Sequence, residues 1–428
     1  MKTLIRCQLV LLCILTASAA LLVLPSMAYD PFEYPKVLFF IIITAFLSTL
    51  SLIHALYSNK KFSFKNLPLE IKLLSIVIIA ELLAFAFSVD KATSLIGASY
   101  RFQGLIMQLV TAIYFLNTVY IFSKIENQDR IRFFAWLIGT TIVATILAFI
   151  PYFTDNPLFS LSNFNNRLYG ALGNPNYLAA LLIAIIPFFG LCFNFKSKIS
   201  QILIASGLLI TLITLFLTGS RSAWVALIFG LLVASVLVII KKKKYKMLII
   251  MLIVIFAAAG IFTFQKYKDT QVFHRFSITE DNIESVTTRL YLQKAGFELF
   301  LEHPIFGIGQ EAVAGNIEPY LPPYLKSNNI FYIDRTHNEF MDILVMQGLV
   351  GFIAFAAFWI VLLWKAIKNY LKMRSPNILN EKILLFGVAS VIAIQGYYAM
   401  NFATISGNIL LYLFAGYLIA NKISTQKL

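Results

Sequence analysis

Four polar clusters interrupt an otherwise apolar chain, each just ahead of a hydrophobic run. They are Tyr100-Arg101-Phe102-Gln103-Gly104, Arg167-Leu168-Tyr169-Gly170 leading into Gly173-Asn174-Pro175-Asn176, Gly219-Ser220-Arg221-Ser222, and Arg335-Thr336-His337-Asn338-Glu339. Arginine presents a planar fork of donors that matches phosphate oxygens. A helix N-terminus adds free N–H groups and partial positive charge to the same task. Histidine transfers protons near neutral pH. Together these residue types look like a site for something anionic, with a histidine able to move a proton.

Each cluster also has a plainer reading. Ser220 is a good N-cap and Arg221 the first residue of the helix it opens; the alternative is an arginine snorkelling to lipid headgroups. Asn174 can cap the next helix with Pro175 at its first position, so Arg167 marks either an anion site or a well-made helix entry. Arg101 poses the same choice. His337, with Asn338 as cap, is either a proton-transfer group or a structural histidine. Arg289 falls on a helix expected from Thr287 or Thr288 through Glu302, ended by Pro304, with Gln293 on the same face. It either folds over the site or stays solvated. Glu81 and Asp342 lie inside apolar runs, where ionisable groups are costly. They either orient an arginine or the histidine, or form a structural pair.

The elements that must position these residues are membrane spans. The chain has 428 residues, 59% hydrophobic and 13% charged, whereas soluble domains run at about 25% charged. A span needs ~20 apolar residues. Twelve runs qualify: 8–27, 36–57, 70–88, 102–123, 131–152, 174–193, 200–218, 222–240, 246–264, 338–364, 382–400 and 402–421. The expected fold is an all-α polytopic membrane protein, one integral domain over 1–428, with a loop at 265–337 inserted between spans 9 and 10. Most of the 35 Lys and Arg fall in alternate connections. That places both termini in the cytoplasm and the loop outside, with all four clusters at the outer ends of inward-running helices. The first segment has a basic start and small residues near Ser26-Met27-Ala28, so it also fits a cleaved signal peptide. The net charge of +15 is scattered between spans, which favours membrane orientation over nucleic-acid binding. Cys7, Cys13 and Cys192 show neither disulfide nor metal spacing. No Asp-x-Asp pair, P-loop, His-Glu-x-x-His or dinucleotide fingerprint occurs, so no metal or cofactor is expected.

Several stretches resemble the O-antigen ligase and polymerase superfamily. They are Arg-Leu-Tyr-Gly-Ala-Leu-Gly-Asn-Pro-Asn-Tyr from Arg167, Thr-Gly-Ser-Arg-Ser-Ala-Trp from Thr218, His-Pro-Ile-Phe-Gly-Ile-Gly from His303, Thr-His-Asn-Glu-Phe from Thr336 and Gln-Gly-Leu-Val-Gly from Gln347. Their order, the spans and the large loop before span 10 resemble it over roughly 100–420. The resemblance implies a lipid-dependent glycosyltransferase fold. It also implies transfer of a glycan from an undecaprenyl-pyrophosphate carrier to an acceptor at the outer face of the bacterial cytoplasmic membrane, without a metal. By motif, the family's two external arginines and histidine correspond to Arg221, Arg289 and His337. Arg221, Arg289, Ser220, Arg167 and Arg101 would bind donor pyrophosphate, and Asn174, Asn338, Asp342 and Glu81 would support the site. Tyr320, Tyr324, Phe331 and Tyr332 would either stack on sugars or pack the loop. Lipopolysaccharide ligation, polymerisation and protein glycosylation all occur in the family. The rival classes are a lipid-linked glycan transporter, for which midplane polar groups and an internal repeat would be expected, and a non-catalytic scaffold or sensor.

Overall fold

The computed structural model describes residues 2–25, 30–57, 67–99, 101–154, 166–194, 197–242, 280–323, 325, 333–373 and 378–425. Every regular element among them is helical. The order is α1 (Lys2–Leu21), α2 (Glu33–Tyr57), α3 (Leu69–Ala86), the short α4 (Lys91–Ile96), α5 (Leu105–Lys124), α6 (Asn127–Leu147), α7 (Pro175–Ile185), α8 (Lys198–Leu217), α9 (Arg221–Lys241), α10 (Glu280–Glu302), α11 (Glu339–Lys372), α12 (Ile378–Tyr398) and α13 (Ile405–Thr425). Helices dominate because lipid cannot satisfy backbone N–H and C=O groups, and a helix satisfies its own.

Eight of these helices are long and apolar enough to cross a membrane: α1, α2, α5, α6 with its 3-10 extension, α8, α9, α11 and α12. The chain is therefore a multi-pass membrane protein. Of the other expected spans, α3 carries Glu70, Lys72 and Glu81, and the apolar stretches 175–191 and 405–420 are shorter. The span at 246–264 lies outside the described residues, as do 265–279, Ser26-Met27-Ala28, Tyr324, Phe331 and Tyr332.

Two boundaries differ from the sequence reading. Helix α1 begins at Lys2 and ends at Leu21, several residues before the expected end at 27. Pro25 follows closely and cannot continue a helix. The loop helix begins at Glu280, not at Thr287 or Thr288. No proline interrupts 280–302, so nothing in the sequence stops the helix from starting before Thr287. It ends at Glu302 before Pro304, as expected.

The packing explains why the ends are held firmly. Helix α12 lies along α9, α13 along α5, and α11 along α3. Gly230 lets α9 approach α12 closely, since a Cβ there would sit 2.6 Å from the Ala389 carbonyl oxygen. Helix α1 is built into the bundle. Leu12, Leu15 and Ala19 are fully buried, and Gln8 Nε2 donates to Ser51 Oγ at 2.7 Å. Ser51 donates in turn to Asn117 Oδ1 at 2.6 Å, and Ser406 Oγ donates to the Ala19 carbonyl at 2.9 Å. Cleavage after this segment would remove the Gln8 and Ala19 contacts and the buried face of α1.

Helix α11 is broken at Gly348, whose φ of 63° and ψ of −168° are not helical. The stretch after His303 does more than turn. It lies across the break, with Leu349 N donating to Pro304 O at 2.8 Å, Ile308 N to Val345 O at 3.0 Å and Gly309 N to Met346 O at 2.9 Å. Any side chain at Gly348 would strike the Ile305 backbone. Irregular backbone is tolerated in a membrane protein where protein surrounds it. Helix α10 packs on α11 through a second apolar core that includes Leu292, Ala295, Leu299, Val345 and Met346. Gly296 allows this approach, because a Cβ there would meet Thr336.

Candidate active site

The chain entering α11 is fixed from both sides. Asp342 Oδ1 accepts from the Thr336 N–H and the Thr336 hydroxyl, both at 2.8 Å. Asn338 Oδ1 caps α11, accepting from Phe340 N at 3.1 Å and Met341 N at 3.3 Å. Between these anchors His337 is held at φ 58°. A non-glycine residue there costs on the order of 1–3 kcal/mol, and such strain gathers at functional positions.

The His337 ring meets the Phe402 ring at 5.3 Å and 50°. Its Nδ1 is buried without a hydrogen-bond partner among the described residues. Burial, helped by the positive charges of Arg289 and Arg101 and opposed by Asp334, pushes its pKa down to about 4. The ring is therefore neutral at physiological pH and able to accept a proton.

Helix α10 brings Arg289 onto the connection between α12 and α13. Its Nη1 donates to the Met400 carbonyl at 3.0 Å, so it is not a solvated surface charge. Burial lowers its pKa first; Tyr397 opposes this and the like charge of Arg221 adds to it. A guanidinium stays charged in a protein nonetheless. The charges of Arg221 and Arg289 thus oppose each other. Arg221 opens α9, and Ser220 before it is buried. The Ser220 hydroxyl does not cap the helix; it lies 3.4 Å from the Ser222 hydroxyl. Ser222 also accepts from Asn401 Nδ2 at 2.7 Å, which ties the α9 start to the same connection.

Arg167 and Arg101 border this cluster with their forks engaged. Arg167 Nε donates to the Thr218 carbonyl at 2.5 Å and Nη2 to Asn176 Oδ1 at 2.9 Å, locking its loop to the α8–α9 turn. Asn174 caps α7 by accepting from Asn176 N at 2.8 Å. Arg101 pairs with Asp334 and places its Cζ 4.0 Å over the Phe402 ring. Tyr397 donates its hydroxyl to the Asn176 carbonyl at 2.9 Å, beside the Asn176 side chain that holds Arg167.

Arg101, Arg167, Arg221, Arg289 and His337 therefore gather around residues 397–402. The two carboxyls expected as supports differ in place. Asp342 acts on the site through Thr336, the residue before His337. Glu81 sits in a separate polar cavity that includes Glu339 and Gln395. Phe402, Tyr397, Asn401 and Asp334 were not singled out from the sequence. The only sequence signal for them is the short polar break at Asn401 between two apolar runs.

Residues 206–356 match the family model described as O-Antigen ligase. The match supports the O-antigen ligase and polymerase superfamily, and it spans Ser220, Arg221, Arg289, His337, Asn338 and Asp342. No curated protein matches the chain.

Proposed function

We propose, from the O-antigen ligase match over 206–356, that this membrane protein transfers a glycan from an undecaprenyl-pyrophosphate carrier to an acceptor hydroxyl. The observation that carries the reading is Arg289, seated on the Met400 carbonyl where its charge acts on His337 and is opposed by that of Arg221. Arg221 and Arg289 hold the donor pyrophosphate, with the α9 N-terminus adding its N–H groups. The acceptor oxygen attacks the anomeric carbon from the face opposite the pyrophosphate and loses its proton to His337. The bond from anomeric carbon to phosphate oxygen breaks, and pyrophosphate leaves with the electron pair. The developing negative charge falls against the arginines. Attack from the opposite face inverts the anomeric configuration, and no step calls for a metal ion.

The topology that goes with this reading has twelve spans, including 246–264. Both termini lie in the cytoplasm, and 265–337 and the site face outward from the cytoplasmic membrane. A ligase and a polymerase share this chemistry and differ only in the acceptor; ligation is the reading adopted. The test is purified protein in lipid discs with polyprenyl-pyrophosphate-linked glycan and acceptor. An enzyme forms the glycosidic product, whereas a transporter moves the donor and forms none. Absence of product with every acceptor class would overturn the reading.

A further inference from the structure

Behind the arginine–histidine cluster lies a second polar space that the transfer mechanism does not use. It is a cavity of about 40 Å³ between α3, α5, α11, α12 and α13. Glu81, Gln310, Glu339, Gln347, Gln395 and Tyr412 are among its lining residues. Gln310, Gln347 and Gln395 are 3%, 6% and 9% exposed. Yet Gln310 Nε2, Gln347 Oε1 and both amide atoms of Gln395 have no hydrogen-bond partner among the described residues. A buried polar group left unsatisfied costs ~1–3 kcal/mol. Several of these side chains line this one cavity, where polar groups would be stabilised.

The lining selects the occupant. Glu81 and Glu339 contribute carboxyl groups, and the Arg335 guanidinium is already answered by Glu311. A phosphate would find the one guanidinium of this lining already taken by Glu311. No three His, Cys, Asp or Glu side chains among the described residues are placed to hold a metal ion. The unmatched atoms include donors, at Gln310 and Gln395, and acceptors, at Gln347 and Gln395. Neutral hydroxyl groups both donate and accept, and they fit that mixture. The volume admits on the order of three water-sized groups.

The cavity and the active cluster share one wall. Arg335, Glu339 and Ala403 face the cavity, while their neighbours His337 and Phe402 meet each other outside it. Glu339 Oε2 accepts from Ala403 N at 2.7 Å and Glu339 N donates to Asn401 O at 2.9 Å, fastening the two segments together. One chain thickness thus separates the proton acceptor from the cavity.

We infer that this cavity is a hydroxyl-recognition subsite, which takes the hydroxyl-bearing edge of a reacting sugar in place of about three water molecules. The inference rests on the transfer reading above. The sugar belongs to the donor or to the acceptor; the chemistry is the same, and the experiment separates the two.

The experiment uses full-length protein in lipid discs with two synthetic panels. One holds polyprenyl-pyrophosphate-linked glycans, the other acceptors, and each member lacks a single hydroxyl other than the one that attacks. The wild type should lose about 10- to 100-fold in kcat/KM for one or more members of one panel, because a buried amide is left unpaired. The responding panel identifies the sugar. The double variant Gln347→Met, Gln395→Met removes the amides at near-constant length. It should fall to the deoxy level with the complete sugar and no longer tell the two apart. If that variant does not fold, Gln395→Asn, which keeps the amide but withdraws it, should narrow the same discrimination. Equal rates of the wild type on every analogue, or undiminished discrimination by a folded variant, would overturn the subsite and leave the cavity to water. Product from the complete substrates in those same reactions keeps the transfer reading standing. No product from any substrate removes both.

Discussion

Two arginines in the same band of the molecule do opposite things. Arg335 is buried and its charge is met by the Glu311 carboxylate, with Met346 packed against it. Arg289 is half-buried, bonded to a carbonyl, and set where the charge of Arg221 opposes its own. The first arrangement closes an electrostatic account within the fold; the second leaves positive charge concentrated beside a neutral histidine. Residue type alone does not distinguish the two. What distinguishes them is the charged neighbour: a carboxylate for Arg335 and a second guanidinium for Arg289.

The contrast can be broken most sharply at the buried pair. Arg335→Ala strands the Glu311 carboxylate, and losing one partner of a buried pair costs ~3–5 kcal/mol. Thermal unfolding in detergent should show a large drop in midpoint and in folded yield. Arg335→Met with Glu311→Gln, which removes both charges, should recover most of it. Full stability of the single variant would mean that the pair holds nothing together.

Arg289→Ala should behave in the reverse way. The fold should persist while transfer falls by about 30- to several-thousand-fold, the range expected when a desolvated charge contact of ~2–5 kcal/mol is lost. Arg289→Lys should recover part of the rate, since a point charge replaces a fork. A variant that loses folded protein but keeps specific activity would move Arg289 into the structural class with Arg335.

Phe402 offers a smaller and more diagnostic effect. It covers one side of His337 and lies under Arg101. Phe402→Ala should admit water to the ring, weaken the burial that depresses its pKa, and move that pKa up from about 4 towards 6.5. Arg289, Arg101 and Asp334 remain as the charged neighbours. A base must be deprotonated, so the acid limb of kcat/KM should shift upward: activity lost near pH 5.5 and largely kept near pH 8. Phe402→Leu, which preserves the cover, should leave the limb in place. An unmoved limb in Phe402→Ala would mean that the ring does not set the histidine's environment.

The smallest expected effect is at the cap. Asn338→Ala removes the bonds to Phe340 N and Met341 N and should cost ~0.5–2 kcal/mol, read as a modest fall in melting midpoint. Because the cap also fixes the His337 backbone, transfer should fall by more than the melting shift alone accounts for.

Much of this was legible in the sequence for physical reasons. Long apolar runs have few alternatives to a helix in lipid, so α2, α5, α8 and α9 fall close to where hydropathy places them. Asn174 before Pro175 and Asn338 before Glu339 are local capping signals, and both side chains cap. The break at Gly348 was not legible, because glycine is ordinary in membrane helices and only the docking of 304–309 explains it. Phe402 was hidden for a similar reason: one more aromatic beside an apolar run carries no mark of the charge stacked on it. Glu81 was noticed as an intramembrane carboxyl, but its partners come from four other elements distant in sequence.

The central claim is that the arginines hold the anionic donor while His337 acts on the acceptor. The most direct measurement compares donor binding with transfer for His337→Ala and Arg221→Ala, using polyprenyl-pyrophosphate-linked glycan and protein of matched folded yield. The account predicts that His337→Ala binds donor normally while transfer drops by ~100- to 10,000-fold, and that Arg221→Ala loses both. Near-normal transfer by His337→Ala, or near-normal donor binding by Arg221→Ala, would contradict it.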